Sequence, residues 1–420
     1  MKSKPTLYAK PSPLLETHLK NIGINWASVL SVAQWHDLWN NNEIPSELQL
    51  DFQAFDDWLA QGAHASMHFL ENNRDVRKDP RKILAGVESI LTVIVPYSHG
   101  KSVRKQRIQS QSEKRDEASA HSFSSVKSSQ ANSTAQSDFI EKIARYARVA
   151  DYHKAIKTEL NKVMEQWQHD ALSRGLISAP VHWRVATDSL PFLDRAHARL
   201  AGLGFVGKNT MLIRPGVGSY FFIAQVLLEA PFHLLADEVL SPPTAAHAMA
   251  ELDCGTCTRC IDACPTSALT QARFLDSNRC LSFLTIEHKD TIADEFIPHL
   301  GEHFYGCDVC QEVCPYNLKT LPLQSIQQFD RYHLHFESLT MNDVARMNPS
   351  EYEKWFGGTA MTRAKYGGLV RNALYSMFAS NDSALDKVLA DRRDDPLPLI
   401  AATVAQINEI NKRRSARDPQ

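Results

Sequence analysis

The chain has 420 residues, 43% of them hydrophobic, enough for two or three buried cores, since a single core stops growing well before this length. No stretch approaches eighteen apolar residues without a charge, which argues against a transmembrane helix, and the basic start MKSKPTLYAK has no apolar run behind it, so a cytoplasmic protein is expected. A formal net charge of −2 leaves nucleic-acid binding open, because a basic patch can sit on a near-neutral protein.

In chain order, residues 55–71 predict a helix, and the β-branched run SILTVIVP at 89–96 predicts a buried strand. Residues 101–138 are rich in Ser, Gln and charge and almost without large apolar side chains. Such a stretch buries too little surface to offset its ordering entropy, so a disordered loop insertion is expected, with Arg104, Lys105 and Arg107 as solvated charges. Apolar residues at helical spacing (Ile140, Ile143, Ala144, Ala147, then Ile156, Leu160, Val163, Trp167) predict two helices within 138–172. VHWRVATD, residues 181–188, alternates like a strand, and residues 191–200 read as a helix with proline in its first turn.

Gly202-Leu-Gly204-Phe-Val-Gly207-Lys208-Asn209 satisfies G-x-G-x-x-G and nearly satisfies the P-loop pattern. A dinucleotide fingerprint follows a strand, whereas LDRAHARLA before it is helical, and a P-loop needs Ser or Thr where this chain has Asn209. What remains is a glycine-rich turn, either a close backbone approach for a large ligand beside Lys208 or a tight helix-to-strand connection. Residues 218–229 (GSYFFIAQVLLE) predict a strand apolar on both faces and hence central in a sheet.

All eight cysteines follow, as Cys254-x2-Cys257-x2-Cys260-x3-Cys264-Pro265, Cys280, and Cys307-x2-Cys310-x3-Cys314-Pro315. In two-cluster bacterial ferredoxins the first three cysteines of such a run bind one [4Fe–4S] cluster while the fourth, beside proline, binds the other. Cys254, Cys257, Cys260 and Cys314 are therefore expected at one cluster, and Cys264, Cys307, Cys310 and Cys280 at the second, with no thiol left over. Structural zinc pairs two Cys-x2-Cys knuckles and explains neither the third cysteine nor the Cys-Pro, and disulfides need an oxidising compartment. Beyond Pro315, residues 371–378, 383–390 and 398–410 predict short stacked helices, and Lys412, Arg413, Arg414 and Arg417 a frayed, solvated tail.

Several stretches together resemble the epoxyqueuosine reductase family. They are Asp188-Ser-Leu-Pro191-Phe-Leu-Asp-Arg195, Ala201 through Asn209, Gly218-Ser219, Cys280-Leu-Ser-Phe-Leu-Thr-Ile-Glu287-His-Lys289, and Gly306 through Asn317. Arg77-Lys-Asp79-Pro80, Arg145-Tyr146-Ala147, Asp151-Tyr152-His153 and Arg371-Asn372 are also similar. The chain departs from the family in its insertion at 101–138 and in Phe283, where Tyr is more usual.

The resemblance implies an α+β protein in three parts: a nitroreductase-like, cobalamin-binding α/β domain over 1–240, a ferredoxin-like dicluster module over 241–320, and a C-terminal HEAT-like helical repeat, 321–420, that holds tRNA. It implies reduction of epoxyqueuosine to queuosine at the wobble position of tRNA, with cobalamin as a two-electron nucleophile fed by the clusters. The departing oxygen needs an acid, and Asp188 stands at the family's proton-donor position; without the resemblance it reads as a cap for the helix near Pro191. A carboxyl that donates near neutral pH must be sheltered from water.

A histidine-bound corrinoid needs D-x-H-x-x-G, and Ile156 breaks the pattern that Asp151-Tyr152-His153 begins, so no axial histidine is expected. Cobalamin contacts are expected from Arg77, Asp151, Tyr152, Gly204, Lys208, Asn209, Ser219, His288, Asp308 and Gln311, and tRNA contacts from Lys289, Arg363, Lys365 and Arg371. Arg77 reads equally as a surface salt bridge. The expected electron donor is a low-potential protein such as flavodoxin or ferredoxin, and a monomer is expected. Two other functions share the cofactor pattern. A corrinoid reductive dehalogenase is typically exported behind a twin-arginine signal that this N-terminus lacks, and a dicluster electron carrier has no need of a large folded domain ahead of its cysteines.

Overall fold

The run SILTVIVP lies at the middle of the fold, every residue of it buried. The computed structural model describes residues 8–32, 46–97, 139–237, 252–318, 323–329, 336 and 338–417; the expected insertion at 101–138 lies outside them. In chain order the strands are β1 (Tyr8–Ala9), β2 (Trp26–Ser31), β3 (Ser89–Pro96), β4 (Trp183–Ala186), β5 (Phe205–Val206), β6 (Leu212–Ile213) and β7 (Phe221–Leu228). Five of them form one sheet in the order β1-β2-β3-β7-β4, antiparallel throughout, and β5-β6 form a separate ribbon. β7 is central, as its two apolar faces require, and its register against β3 runs from Ser89↔Leu228 to Pro96↔Phe221.

Alternation along β3 sends Leu91, Val93 and Val95 to one face and Ile90 and Ile94 to the other, each into a different apolar cluster. The first face is covered by α1 (Pro13–Asn21) and, beyond α2 (Ser46–Ala60), by α3 (Tyr152–Ser173), whose Ile156, Leu160, Val163, Met164 and Trp167 are fully buried along one stripe. Each such aliphatic side chain contributes roughly 1.5–3 kcal/mol on burial. The second face is covered by α4 (Asp194–Leu200), which packs through Ala196 and Ala198. Mixed helices on an antiparallel sheet make this an α+β protein.

Three predicted helices differ. The helix expected over 55–71 ends at Ala60, and the chain turns through Gly62 (φ +65) and Ala65 (φ +54) before a single turn at Phe69–Asn72. Of the two helices expected within 138–172 only α3 forms, because Lys142 and Ala144 are drawn into backbone hydrogen bonds with Phe304 and Tyr305 and leave only 3₁₀ turns. Helix α4 starts at Asp194, so Pro191 lies in the preceding loop.

Within the cysteine region lies α5 (Leu281–Ile286), and after it come α6 (Met341–Arg346), α7 (Pro349–Phe356), α8 (Lys365–Ala379), α9 (Leu385–Asp391) and α10 (Pro398–Arg417). Capping boxes at Thr340/Asp343 and Asn348/Glu351 start α6 and α7. Helix α8 is buried continuously from Gly368 to Phe378, between α6, α10 and the turn Ile297–Gly301. The tail expected to fray is helical to Arg417: Arg413 pairs with Asp294 at 2.9 Å and Arg414 lies 4.5 Å over the Phe378 ring. Among the described residues no helix is long and apolar enough to cross a membrane.

Candidate active site

The eight cysteines are all free thiols; Cys260 and Cys310 sit on two similar short turns, Arg259–Asp262 and Val309–Glu312, five others flank these turns, and Cys280 stands at the start of α5. Cys260 and Cys314 feel Cys254, and Cys314 also feels Cys257; Cys280 feels Cys264, and Cys310 feels Cys307, Cys280 and, across the two expected groups, Cys260. Burial pushes the thiols of Cys260, Cys280, Cys310 and Cys314 up, and their neighbouring cysteines add to it.

The donor set fits cubane clusters and not single zinc ions. A zinc tetrahedron with 2.3 Å bonds holds its sulfurs about 3.8 Å apart, yet among the described residues no three cysteine sulfurs lie within 4.8 Å of one another. Backbone amides point at the sulfurs: Lys208 donates to Cys254 Sγ at 3.4 Å and Ala268 to Cys264 Sγ at 3.2 Å. Gly306 (φ +72) is needed before Cys307, because a Cβ there would stand 2.6 Å from the Ala144 side chain.

The glycine-rich turn is a tight connection. A Cβ on Gly204 would lie 2.5 Å from the Ile213 carbonyl oxygen, so this glycine lets β5 and β6 close into a ribbon. That ribbon packs Phe205 and Ile213 on Cys314 and Cys254. Lys208 donates its ammonium to Gly255 O at 2.7 Å, on the first cysteine loop.

Asp188 follows β4 and occupies the left-handed region, φ +51, a conformation that costs a non-glycine residue of order 1–3 kcal/mol and clusters at functional sites. It caps no helix: α4 begins after Leu193 without a side-chain cap. The shelter expected for it is absent too, since Asp188 is exposed. The Tyr152 hydroxyl donates to Asp188 Oδ2 at 2.9 Å. The Tyr152 ring is stacked between Phe222 (4.2 Å) and His153 (4.0 Å), with Tyr146 edge-on at 6.2 Å. Burial and then the Asp188 charge push the Tyr152 phenol far up, so it stays a donor.

Asp151 caps α3, accepting from His153 N at 3.1 Å; burial opposes its ionisation, but the His153 contacts hold its carboxyl below the usual range. Arg77 is half-buried with its Nε unpaired, its pKa lowered by burial against the pull of Asp194 and Asp188. The even alternative of a salt bridge therefore resolves into a guanidinium held near two carboxylates. Burial and then the Asp188 charge push the Asp194 carboxyl up to about 7. Sequence reasoning missed Asp194, although it lies six residues past Asp188 in the stretch that carries the resemblance.

Four residues expected to face cobalamin are spent on joining the sheet to the cysteine module. The Ser219 hydroxyl donates to Gln311 Oε1 at 2.9 Å, and its amide donates to Asn317 Oδ1 at 2.7 Å. Gln311 donates to Asp308 at 3.2 Å, Asp308 accepts the Arg145 amide at 2.8 Å, and Asn209 donates to Cys310 O at 3.2 Å. Ser219, Asn209, Asp308 and Gln311 are all buried. Asn317 and Arg145, the latter with its guanidinium 4.7 Å over the Tyr220 ring, complete a joint that residue type alone did not reveal. His288 Nε2 donates to Thr291 O (3.0 Å), and the side chain lines a cavity of about 300 Å³ with Phe283, Ala65 and Asn278.

Of the cations expected to meet tRNA, Lys289, Arg363 and Lys365 are exposed and adjacent: Lys289 Nζ donates to Arg363 O at 3.3 Å. Arg363 is held by Glu287 in a two-pronged pair (2.7 and 3.0 Å). That contact raises its pKa, with a further contribution from Asp188, so the cations and the acid share one side of the molecule. Arg371 does not belong with them. It is fully buried and donates to the carbonyls of His288, Asp290 and Leu284 at 2.6–2.8 Å, so no phosphate reaches it.

Comparison with known proteins agrees with this geometry. Residues 253–317 match the 4Fe-4S double cluster binding domain, and residues 77–189 match the family described as epoxyqueuosine reductase QueG. An epoxyqueuosine reductase of Xanthomonas campestris is 35% identical over 357 residues, 84% of this chain and 87% of that protein. One from Cyclobacterium marinum is 31% identical over 325 residues, 77% of this chain and 87% of its own length. A crystal structure of epoxyqueuosine reductase with an epoxyqueuosine-modified tRNA stem loop superposes with a TM-score of 0.69 at 24% identity, covering 96% of this chain and 91% of that one.

Proposed function

This chain belongs to the epoxyqueuosine reductase family, and we propose that it removes the epoxide oxygen of epoxyqueuosine in tRNA, leaving queuosine at the wobble position. The observation that carries the reading is Asp188, strained, exposed and aimed by Tyr152, on the same side as Arg363. In this reading Asp188 relays the proton to the departing oxygen, and Tyr152 fixes the direction of its side chain.

The side chains around Asp188 fit a cobalamin. Arg77, half-buried and within the pull of the Asp188 and Asp194 charges, is placed to meet a corrin amide or phosphate. Tyr146, Tyr152 and Phe222 supply an apolar wall, and no histidine is needed as an axial ligand. When bound, cobalamin supplies a two-electron nucleophile and the two clusters supply its electrons one at a time.

In this reading residues 1–240 form a nitroreductase-like cobalamin domain, 241–320 the dicluster module and 321–420 a HEAT-like helical part. Lys289, Arg363 and Lys365 meet tRNA phosphates. The protein acts as a cytoplasmic monomer fed by flavodoxin or ferredoxin. The reaction requires an unstacked wobble base, which favours tRNA over the small halogenated molecules of a dehalogenase. The test is anaerobic incubation of cobalamin-supplied enzyme with a low-potential reductant and epoxyqueuosine-containing tRNA, followed by nucleoside analysis. Queuosine is expected, and its absence with both clusters intact overturns the proposal.

A further inference from the structure

His64, His68 and Glu71 lie outside the site described above, on the turn that follows α2 and the single helical turn after it. One ligand atom from each falls within 4.8 Å of the other two. His64 Nε2 stands 3.1 Å from Glu71 Oε1, and His68 Nδ1 stands 3.1 Å from Glu71 Oε2. Ligands on a tetrahedral ion with bonds near 2.0–2.1 Å are about 3.4 Å apart, so each histidine–carboxylate contact is already at that spacing and the three ligand atoms, within 4.8 Å of one another, need only close in on one centre. His64 is only 4% exposed, held edge-on to Trp58 at 5.9 Å, whereas His68 and Glu71 reach the surface and leave an entry path.

We propose that His64, His68 and Glu71 bind a divalent ion of the zinc class, with water in the fourth position. Two imidazoles and one carboxylate suit zinc and its transition-metal neighbours; calcium and magnesium prefer all-oxygen shells. The left-handed Ala65 between the histidines makes the chain double back, which brings residues seven apart onto one centre.

The site's position gives the ion a task. The carbonyl of Ala63 accepts from Ser277 N at 2.8 Å, that of Gly62 accepts from Asn278 Nδ2 at 3.1 Å, and Trp58 Nε1 donates to Leu275 O at 2.7 Å. The histidine turn is therefore the clamp on the segment leading into Cys280. On the other side Phe69, next to His68, lies 5.4 Å beneath the Arg363 guanidinium. A metal there stiffens a turn that touches both a cluster ligand's approach and a surface cation, and it takes no part in electron transfer.

The experiment uses the full chain with both clusters loaded, as shown by iron content. The protein is dialysed against micromolar Zn²⁺, and bound zinc and iron are measured together by mass spectrometry. About one zinc per chain is expected in the native sequence, with binding about ten- to hundredfold weaker in His68→Ala and in Glu71→Gln and iron unchanged in both. His68 is exposed, so its replacement leaves folding intact. Equal zinc in the native protein and His68→Ala overturns the proposal, because Glu71 then merely accepts hydrogen bonds from two histidines. Zinc that rises only as iron falls also overturns it, since that ion sits among the cysteines.

Discussion

Tyr152 and Asp188 are joined by a 2.9 Å hydrogen bond from a phenol kept protonated by burial to a carboxylate that the backbone already holds in a left-handed conformation. Side-chain direction and backbone strain thus converge on one exposed acid. Removing the acid and removing its orienting partner have different sizes. Asp188→Asn lowers single-turnover conversion by about 10²–10⁴-fold, the range for a general acid. Tyr152→Phe costs about 1 kcal/mol, or roughly fivefold, by deleting one hydrogen bond. An Asp188→Asn enzyme that turns over at the native rate removes the acid from the mechanism.

The cross-over of the two Cys-Pro cysteines predicts which variants resemble each other. Cys314→Ser perturbs the same cluster as Cys254→Ser, and Cys264→Ser the same cluster as Cys280→Ser, because their thiolates share charge in those groups. Electron paramagnetic resonance of the reduced variants sorts them into these pairs. A signal that pairs Cys314 with Cys307 instead contradicts the exchange.

Arg371 and Arg363, eight residues apart, fail in opposite ways. Arg371→Ala strands the carbonyls of His288, Asp290 and Leu284 in the interior, at about 1–3 kcal/mol for each unsatisfied group, and lowers Tm without changing the salt dependence of tRNA binding. Arg363→Ala leaves Tm nearly unchanged, since an exposed pair with Glu287 contributes at most about 1 kcal/mol, but reduces the slope of log K against log salt by about one. Thermal melts and binding titrations at several salt concentrations read both.

Asp194 gives stability a pH dependence. Its carboxyl rises from 3.8 to about 7 in the fold, so the native state holds a proton that the unfolded chain releases. Stability from this group is present at low pH and declines as pH climbs through that window, the reverse of an ion-paired carboxylate. Asp194→Asn flattens the decline, and Asp188→Asn shifts it to lower pH by removing the second cause of the shift. Denaturant titrations at about pH 5 and about pH 8 measure the difference.

The double-cluster cysteine region, β3 and the central place of β7 were legible because spacing and alternation are local properties. The fate of residues 140–147 was not: their apolar period is helical, but carbonyls at Tyr305 and amides at Phe304 recruit the backbone from more than a hundred and fifty residues away. Arg371 shows the same limit. A cation beside a helix looks like a surface group until the three carbonyls that surround it are known, and these belong to the segment after Cys280. Ser219, Asn209, Asp308 and Gln311 carry the family resemblance, yet only the structure reveals that Ser219, Gln311 and Asp308 bind in a chain and that Asn209 holds the Cys310 carbonyl.

The second cysteine group has walls from widely separated parts of the chain: Ala63 and Gly62 hold the approach to Cys280, and Ala144 and Arg145 hold Tyr305 and Asp308 on either side of Cys307. A ribosome releases these pieces from the N-terminus onward. The nest for that cluster is incomplete until Cys310 has emerged, long after the strands around Ser89 are free to pair. A full ligand set for the second cluster thus exists only in the last third of synthesis, and a nascent chain stalled before Cys307 carries the strands of the sheet without two of that cluster's expected ligands.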